Sequence, residues 1–145
     1  MVLPADGLIV KGHWLDLILS GEKSLEIRGQ TTTKRGTVGL IKSGTGLVVG
    51  EVDIVNTFII RRAAFDLYFS GHMVDSSTLG ELNYKVIHAW MLTNPVRYAE
   101  PIPYKHPRGA ITWVDLRPEA KTKQGCSTSS SRKRKRPSDK DAVFV

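Results

Sequence analysis

The chain has 145 residues, of which 41% are hydrophobic, with 21 Lys+Arg against 14 Asp+Glu and a single cysteine. That suits one domain, or one domain and a tail; no apolar run approaches the roughly 20 residues that cross a bilayer. Cys126 makes no internal disulfide and, lacking clustered histidines, no zinc site.

The net charge of +7 is concentrated at one end. Residues 1–116 hold 12 basic and 11 acidic side chains, a balance of +1, whereas residues 117–145 hold 9 and 3, a balance of +6. Overall basicity is therefore no argument that the folded part binds nucleic acid. The first seven residues lack the basic start and continuous apolar stretch of a secretory signal.

In chain order, Leu8–Lys11 reads as a short first strand. Trp14, Leu15, Ile18 and Leu19 recur at helical spacing and predict an amphipathic helix, which Gly21 ends in the left-handed conformation. Lys23–Arg28 then alternates with period two, sending Leu25 and Ile27 to one face and Ser24, Glu26 and Arg28 to the other. Thr37–Lys42 and Gly46–Asn56 form a hairpin around Ser43–Gly46, with Gly50 at a bulge or barrel bend. No Gly-Lys-Ser/Thr follows that loop, so it is not a phosphate loop. Ala63–Phe69 is expected to be helical, ending near Gly71, and Ser77 or Thr78 to cap a helix running through Glu81 to Tyr84. Val86–Leu92 and Ala110–Leu116 read as closing strands. The sum is an α+β, mainly β domain over residues 1–116. It has five to six strands and two or three short helices, and closure into a small barrel would remove its exposed edges.

Apolar periodicity stops at Arg117-Pro118. A polar linker leads to Arg132, Lys133, Arg134, Lys135 and Arg136, and residues 117–145 are expected to be a disordered basic tail. Such a run reads as a nuclear-import signal engaging an import receptor, as an electrostatic grip on nucleic acid, or as a solvated tail with no partner. The implied location is nuclear or nucleocytoplasmic in a eukaryote and cytoplasmic otherwise.

His13, His72, His88 and His106 lack the spacing of a metal pair and read as surface or internally satisfied histidines; no metal or cofactor is expected. Trp90 and Trp113, inside apolar strands, are assigned to the core. Trp14 follows Gly12-His13 at a helix start, where a ring is either buried or offers a face to a base. Lys11, Lys23 and Arg28 are either solvated charges or, converging on one cleft, partners for phosphate or a base edge. Glu26 beside Arg28 is either simple charge compensation or part of that cleft. Neither a Gly-x-Ser-x-Gly elbow nor a Cys/His pair is present, so Ser24 is a nucleophile only if Lys23 or another base activates it.

The pattern Lys11-x-x-Trp14, Ile18-x-x-Gly21-x-Lys23-x-x-Glu26-x-Arg28 resembles the ASCH (activating signal cointegrator homology) domain. Gly50-Glu51-Val52, Ala89-Trp90-x-Leu92 with Asn94-Pro95, and Gly109-Ala110-x-x-Trp113 agree in order, so the resemblance spans about Leu8 to Leu116. It implies a barrel of the pseudouridine-synthase-and-archaeosine-transglycosylase (PUA)-like kind. It also implies a cleft between the first helix and the barrel that holds RNA or a modified nucleotide through Lys11, Trp14, Lys23, Glu26 and Arg28; His13, beside Trp14 at the helix start, is added as a candidate by its position alone. The expected partner is RNA or a nucleotide, with DNA as an alternative, and not a membrane. Some family members resemble amidohydrolases on acetylated cytidine that use a lysine, a threonine and a glutamate. Lys23 matches the lysine and Glu81 loosely the glutamate, but Glu26 stands where the threonine is expected. Others resemble ribonucleases. A hydrolase using Lys23, Glu81 and Ser24 is therefore one alternative to a binding module, and a transcription-related interaction adaptor is another.

Overall fold

The computed structural model describes residues 2–118, and the tail expected to be disordered lies outside the described residues from position 119 onward. Six strands and three short helices follow one another as β1 (Asp6–Val10), α1 (Gly12–Ser20), β2 (Leu25–Arg28), β3 (Gly36–Lys42) and β4 (Leu47–Ile60). A 3₁₀ turn (Arg62–Tyr68) then runs into α2 (Phe69–His72), followed by α3 (Ser76–Leu82), β5 (Ile87–Pro103) and β6 (Trp113–Asp115). The strands form one mixed sheet in the order β2-β5-β4-β3-β1-β6. Only β1 and β3 run parallel, because α1 and β2 intervene between them and carry the chain back to the starting end.

The sheet curls until distant strands meet. Trp90 on β5 lies parallel to Trp113 on β6, with ring centroids 5.9 Å apart. Arg28 on β2 donates to the Ile9 carbonyl on β1 at 2.9 Å. The molecule is thus a small α+β barrel, as the strand count led us to expect. One cluster of apolar side chains fills it, including Leu8, Leu15, Ile18, Leu40, Ile54 and Trp90. A second cluster lies on the outer face of β2 and β5 beneath the 3₁₀ turn, α2 and α3, and is built on Ile27, Phe65, Val74, Leu79 and Ile87. Trp14 packs against both.

Gly21 ends α1 at φ 90° with its N–H on the Ile18 carbonyl, the left-handed cap its position predicted. Several expectations need correction. The segment Ala63–Phe69 is a 3₁₀ turn continued by one α turn, not a plain α-helix. The cap of α3 is Asp75, whose carboxylate accepts from the Thr78 N–H, rather than Ser77 or Thr78. The closing strand does not stop at Leu92 but runs to Pro103, because β5 itself bulges opposite Val52: Asn94 and Pro95 both fall between the paired residues Thr93 and Val96, so the proline, which has no N–H to donate, sits outside the regular ladder. Trp113 is half-buried rather than fully internal, and Lys34 lies 5.0 Å from its ring centroid.

Gly50 sits at a register shift between β4 and β5, as its place in the strand predicted. A Cβ there would lie 2.4 Å from the Val96 carbonyl oxygen and 2.8 Å from Leu19 Cδ2. The first obstacle is backbone, so Gly50→Ala is expected to destabilise the fold by about 1–3 kcal/mol or more in urea unfolding. Gly80 is the opposite case: it is exposed, lies within α3, and nothing stands within 4 Å of an added Cβ. Gly80→Ala is expected to raise stability by about 0.5–1 kcal/mol in the same measurement.

Candidate functional site

The β2 strand is buried on both faces, which its alternating sequence did not suggest. Leu25 and Ile27 face the outer cluster, while Glu26, directly opposite Trp90 on β5, faces the barrel interior and is only 5% exposed. Lys23, in the connection that Gly21 starts, is only 2% exposed. A charged strand face is thus roofed by α1 and by β1 instead of meeting water.

The buried charges hold one another. Arg28 Nε donates to Glu26 Oε2 at 2.7 Å, and Lys23 Nζ lies 3.8 Å from Glu26 Oε1, an ion pair beyond hydrogen-bond distance. Lys23 Nζ donates to the His72 carbonyl of α2 at 2.6 Å and sits 4.8 Å from the Trp14 ring centroid. Arg28 also lies 5.6 Å from the Trp90 ring centroid. Burial pushes the Lys23 ammonium below its usual range, with Glu26 opposing that shift and Arg28 adding to it.

These groups line a cleft of about 240 Å³ between α1 and the sheet. Lys11 and Ser43 stand at one side, Val74, Leu82 and Tyr84 at the other, and Ile111 at the mouth, where it is 77% exposed. An apolar cavity of about 150 Å³ is enough to hold benzene, so this space takes one base-sized ring system and little more.

Of the residues expected to form a site, Lys11, Trp14, Lys23, Glu26 and Arg28 all line this cleft. His13 is exposed and outside the lining, with its ring 4.7 Å from that of Trp14. Ser24 is exposed, and its backbone is taken up by Gly71 and Leu92. Glu81 is exposed on α3, so Lys23, Ser24 and Glu81 are not gathered in the cleft. Among the described residues no three His, Cys, Asp or Glu side chains group as for a metal ion.

Sequence reasoning missed Tyr84 and His72. Tyr84 enters from the α3–β5 connection, a stretch without periodicity. Its ring packs where a Cβ on Gly29 would be 2.8 Å away, and Arg62 donates to its carbonyl. Burial raises its phenol above the usual range. His72 is fully buried and stacks on Phe65 at 3.9 Å. Its Nδ1 accepts from the Val74 N–H at 2.9 Å, which leaves Nε2 as the donor to the Phe65 carbonyl. The ring is therefore the neutral tautomer, and its carbonyl holds Lys23.

No protein-family model matches the sequence, and neither does any curated protein. Solved structures match the fold. The crystal structure of ASCH from Zymomonas mobilis aligns with a TM-score of 0.63 and 13% identity, covering 79% of this chain and 88% of that one. Two single-residue variants of that protein align at TM-scores of 0.61 and 0.63 with the same identity, covering 89% and 91% of their chains. The chain has the ASCH fold, as its motifs led us to expect.

The buried histidine makes the site acid-sensitive. Burial lowers the His72 pKa below its ordinary value of 6.5, so on acidification the unfolded chain takes up a proton that the folded chain refuses. This cost is absent above pH 6.5 and grows as pH falls towards the depressed folded value, by at most about 1.4 kcal/mol per pH unit. His88, also lowered by burial, adds in the same direction. Unfolding free energies measured from pH 7.5 down to 5.0 should therefore fall, and the slope should be shallower in His72→Phe.

Proposed function

We propose that this protein binds single-stranded RNA, or a nucleotide, by drawing one base into the cleft between α1 and the sheet. The observation that carries the reading is a nearly fully buried lysine, Lys23, set against the half-buried Trp14 ring and beside the buried carboxylate of Glu26. Desolvated polar groups in a cleft are costly for folding and useful for recognition, since each hydrogen bond to a ligand then competes with little water. Trp14 supplies the stacking surface, with His13 extending the aromatic edge outward. Glu26 accepts from a base edge, Lys23 donates to one, and the exposed Lys11 at the rim meets phosphate.

The cleft's size favours a splayed base over a stacked duplex, and the ASCH resemblance supports the choice of RNA before DNA in this reading. The run Arg132–Arg136 adds a salt-dependent, sequence-independent grip, and serves as an import signal if the cell is eukaryotic.

Fluorescence anisotropy with a short single-stranded RNA at several salt concentrations separates cleft from tail. Trp14→Ala is expected to weaken binding by roughly 1–3 kcal/mol, a factor of about 5–150, with the salt dependence unchanged. Replacing Arg132, Lys133, Arg134, Lys135 and Arg136 together by Ala is expected to flatten the salt dependence by at most about one phosphate contact per lost cation. Full affinity in Trp14→Ala, with none in the tail variant, would mean that the tail is the binder and the cleft is not.

A further inference from the structure

Among the described residues, the ion pairs of Lys23 and Arg28 both run to one carboxylate, Glu26. Two basic side chains thus share one counter-charge at the wall of the cleft, with Lys23 nearly fully buried and Arg28 partly so. Arg28 has the better claim: it is in hydrogen-bond contact at 2.7 Å, it is also held by the Ile9 carbonyl, and a guanidinium does not give up its proton in proteins. Lys23 stands off at 3.8 Å and spends a donor on a neutral carbonyl, that of His72, a contact that an uncharged amine can also make. Lysine is the residue of this pair that yields its charge when desolvated.

We infer that Lys23 is a nucleophilic amine that captures aldehydes entering the cleft as imines. The substrate class that fits is an aldehyde carried on a nucleotide, such as the ring-opened sugar of an abasic nucleotide. The choice of a nucleotide carrier rests on the binding function proposed above, whereas the reactivity of the amine does not.

The chemistry balances without an oxidant or reductant. The Lys23 nitrogen lone pair adds to the carbonyl carbon, a C–N bond forms, and the carbonyl π electrons move to oxygen. One nitrogen-bound proton passes to that oxygen to give a carbinolamine. Its hydroxyl then leaves with the second nitrogen-bound proton as water, and the C=N bond forms. Glu26, 3.8 Å from the amine, takes and returns each proton through one intervening water, and water reverses the sequence. The other charged or titratable groups around the amine are Arg28 on β2, His72 on α2 and Tyr84 on the far wall. Burial of the amine, the largest influence on its proton, acts towards the neutral form.

Full-length protein is incubated at pH 7 with cyanoborohydride and one of two probes, benzaldehyde or a short single-stranded oligonucleotide with one abasic site. Adducts are located by peptide mapping. Lys23 should be modified first by both probes, ahead of the exposed Lys11, Lys42, Lys85 and Lys105, and Lys23→Arg should lose that early adduct. A benzyl adduct at Lys23 with the oligonucleotide captured elsewhere would support the amine and overturn the nucleotide carrier. Neither probe preferring Lys23 would overturn the inference, and the wild-type map alone decides this should Lys23→Arg fail to fold.

Discussion

Glu26 is the carboxylate on which the arrangement turns. Its oxygens hold Arg28 by a hydrogen bond and face Lys23 as an ion pair, and those cations reach in opposite directions for backbone carbonyls, Ile9 on β1 and His72 on α2. One network therefore joins the edge strand, the first strand and the helical cap. Removing its carboxylate would leave the partly buried Arg28 guanidinium and the buried Lys23 without their shared partner, and breaking a buried pair typically costs about 3–5 kcal/mol. Yet well-packed apolar side chains in the same positions are often as stable or more so, which makes a buried ion pair weak evidence of a stabilising device. The network's distinctive consequence is positional: it fixes charged groups at the wall of a cleft where water competes little.

The cleft lies where two apolar clusters adjoin. The barrel interior supports α1 through Leu15 and Ile18, and the outer cluster supports the 3₁₀ turn, α2 and α3 through Phe65 and Leu79. Trp14 touches both, so the stacking surface proposed for a base is held by the packing of each. The buried His72 ties these layers together, since its ring satisfies the loop around it while its backbone oxygen receives Lys23. Acid stability and the position of Lys23 are thereby linked through one fully buried residue.

How much of this was legible in the sequence depended on whether the signal was local. The α1 helix and its Gly21 cap, the Ser43–Gly46 hairpin and the bulge at Gly50 follow from periodicity and from glycine's conformational freedom, and each was readable. The burial of Lys23 and Glu26 was not. A period-two strand with charges on one face predicts a solvated face, and only the curl of the sheet, which brings β1 and α1 over β2, turns that face inward. The continuation of β5 through Pro95 was hidden for a related reason, because proline's missing donor is harmless only where its own strand bulges away from the ladder. Tyr84 and His72 belong to segments whose placement is set by packing alone. The ASCH resemblance singled out Lys11, Trp14, Lys23, Glu26 and Arg28, which line the cleft together, whereas Ser24 and Glu81, the candidates for a hydrolase, lie exposed outside it.

The central claim is that the cleft, rather than the basic tail or the exposed apolar side chains Ile59 and Leu67, receives the ligand. Amide and side-chain shift mapping by NMR, with a short single-stranded RNA titrated into the full-length protein, tests it most directly. The account predicts that the largest changes fall on Lys11, the Trp14 indole, Lys23 to Arg28 and Tyr84, and that they saturate together. Changes confined to residues 121–140, or centred on Ile59 and Leu67 with the Trp14 indole unmoved, would contradict it.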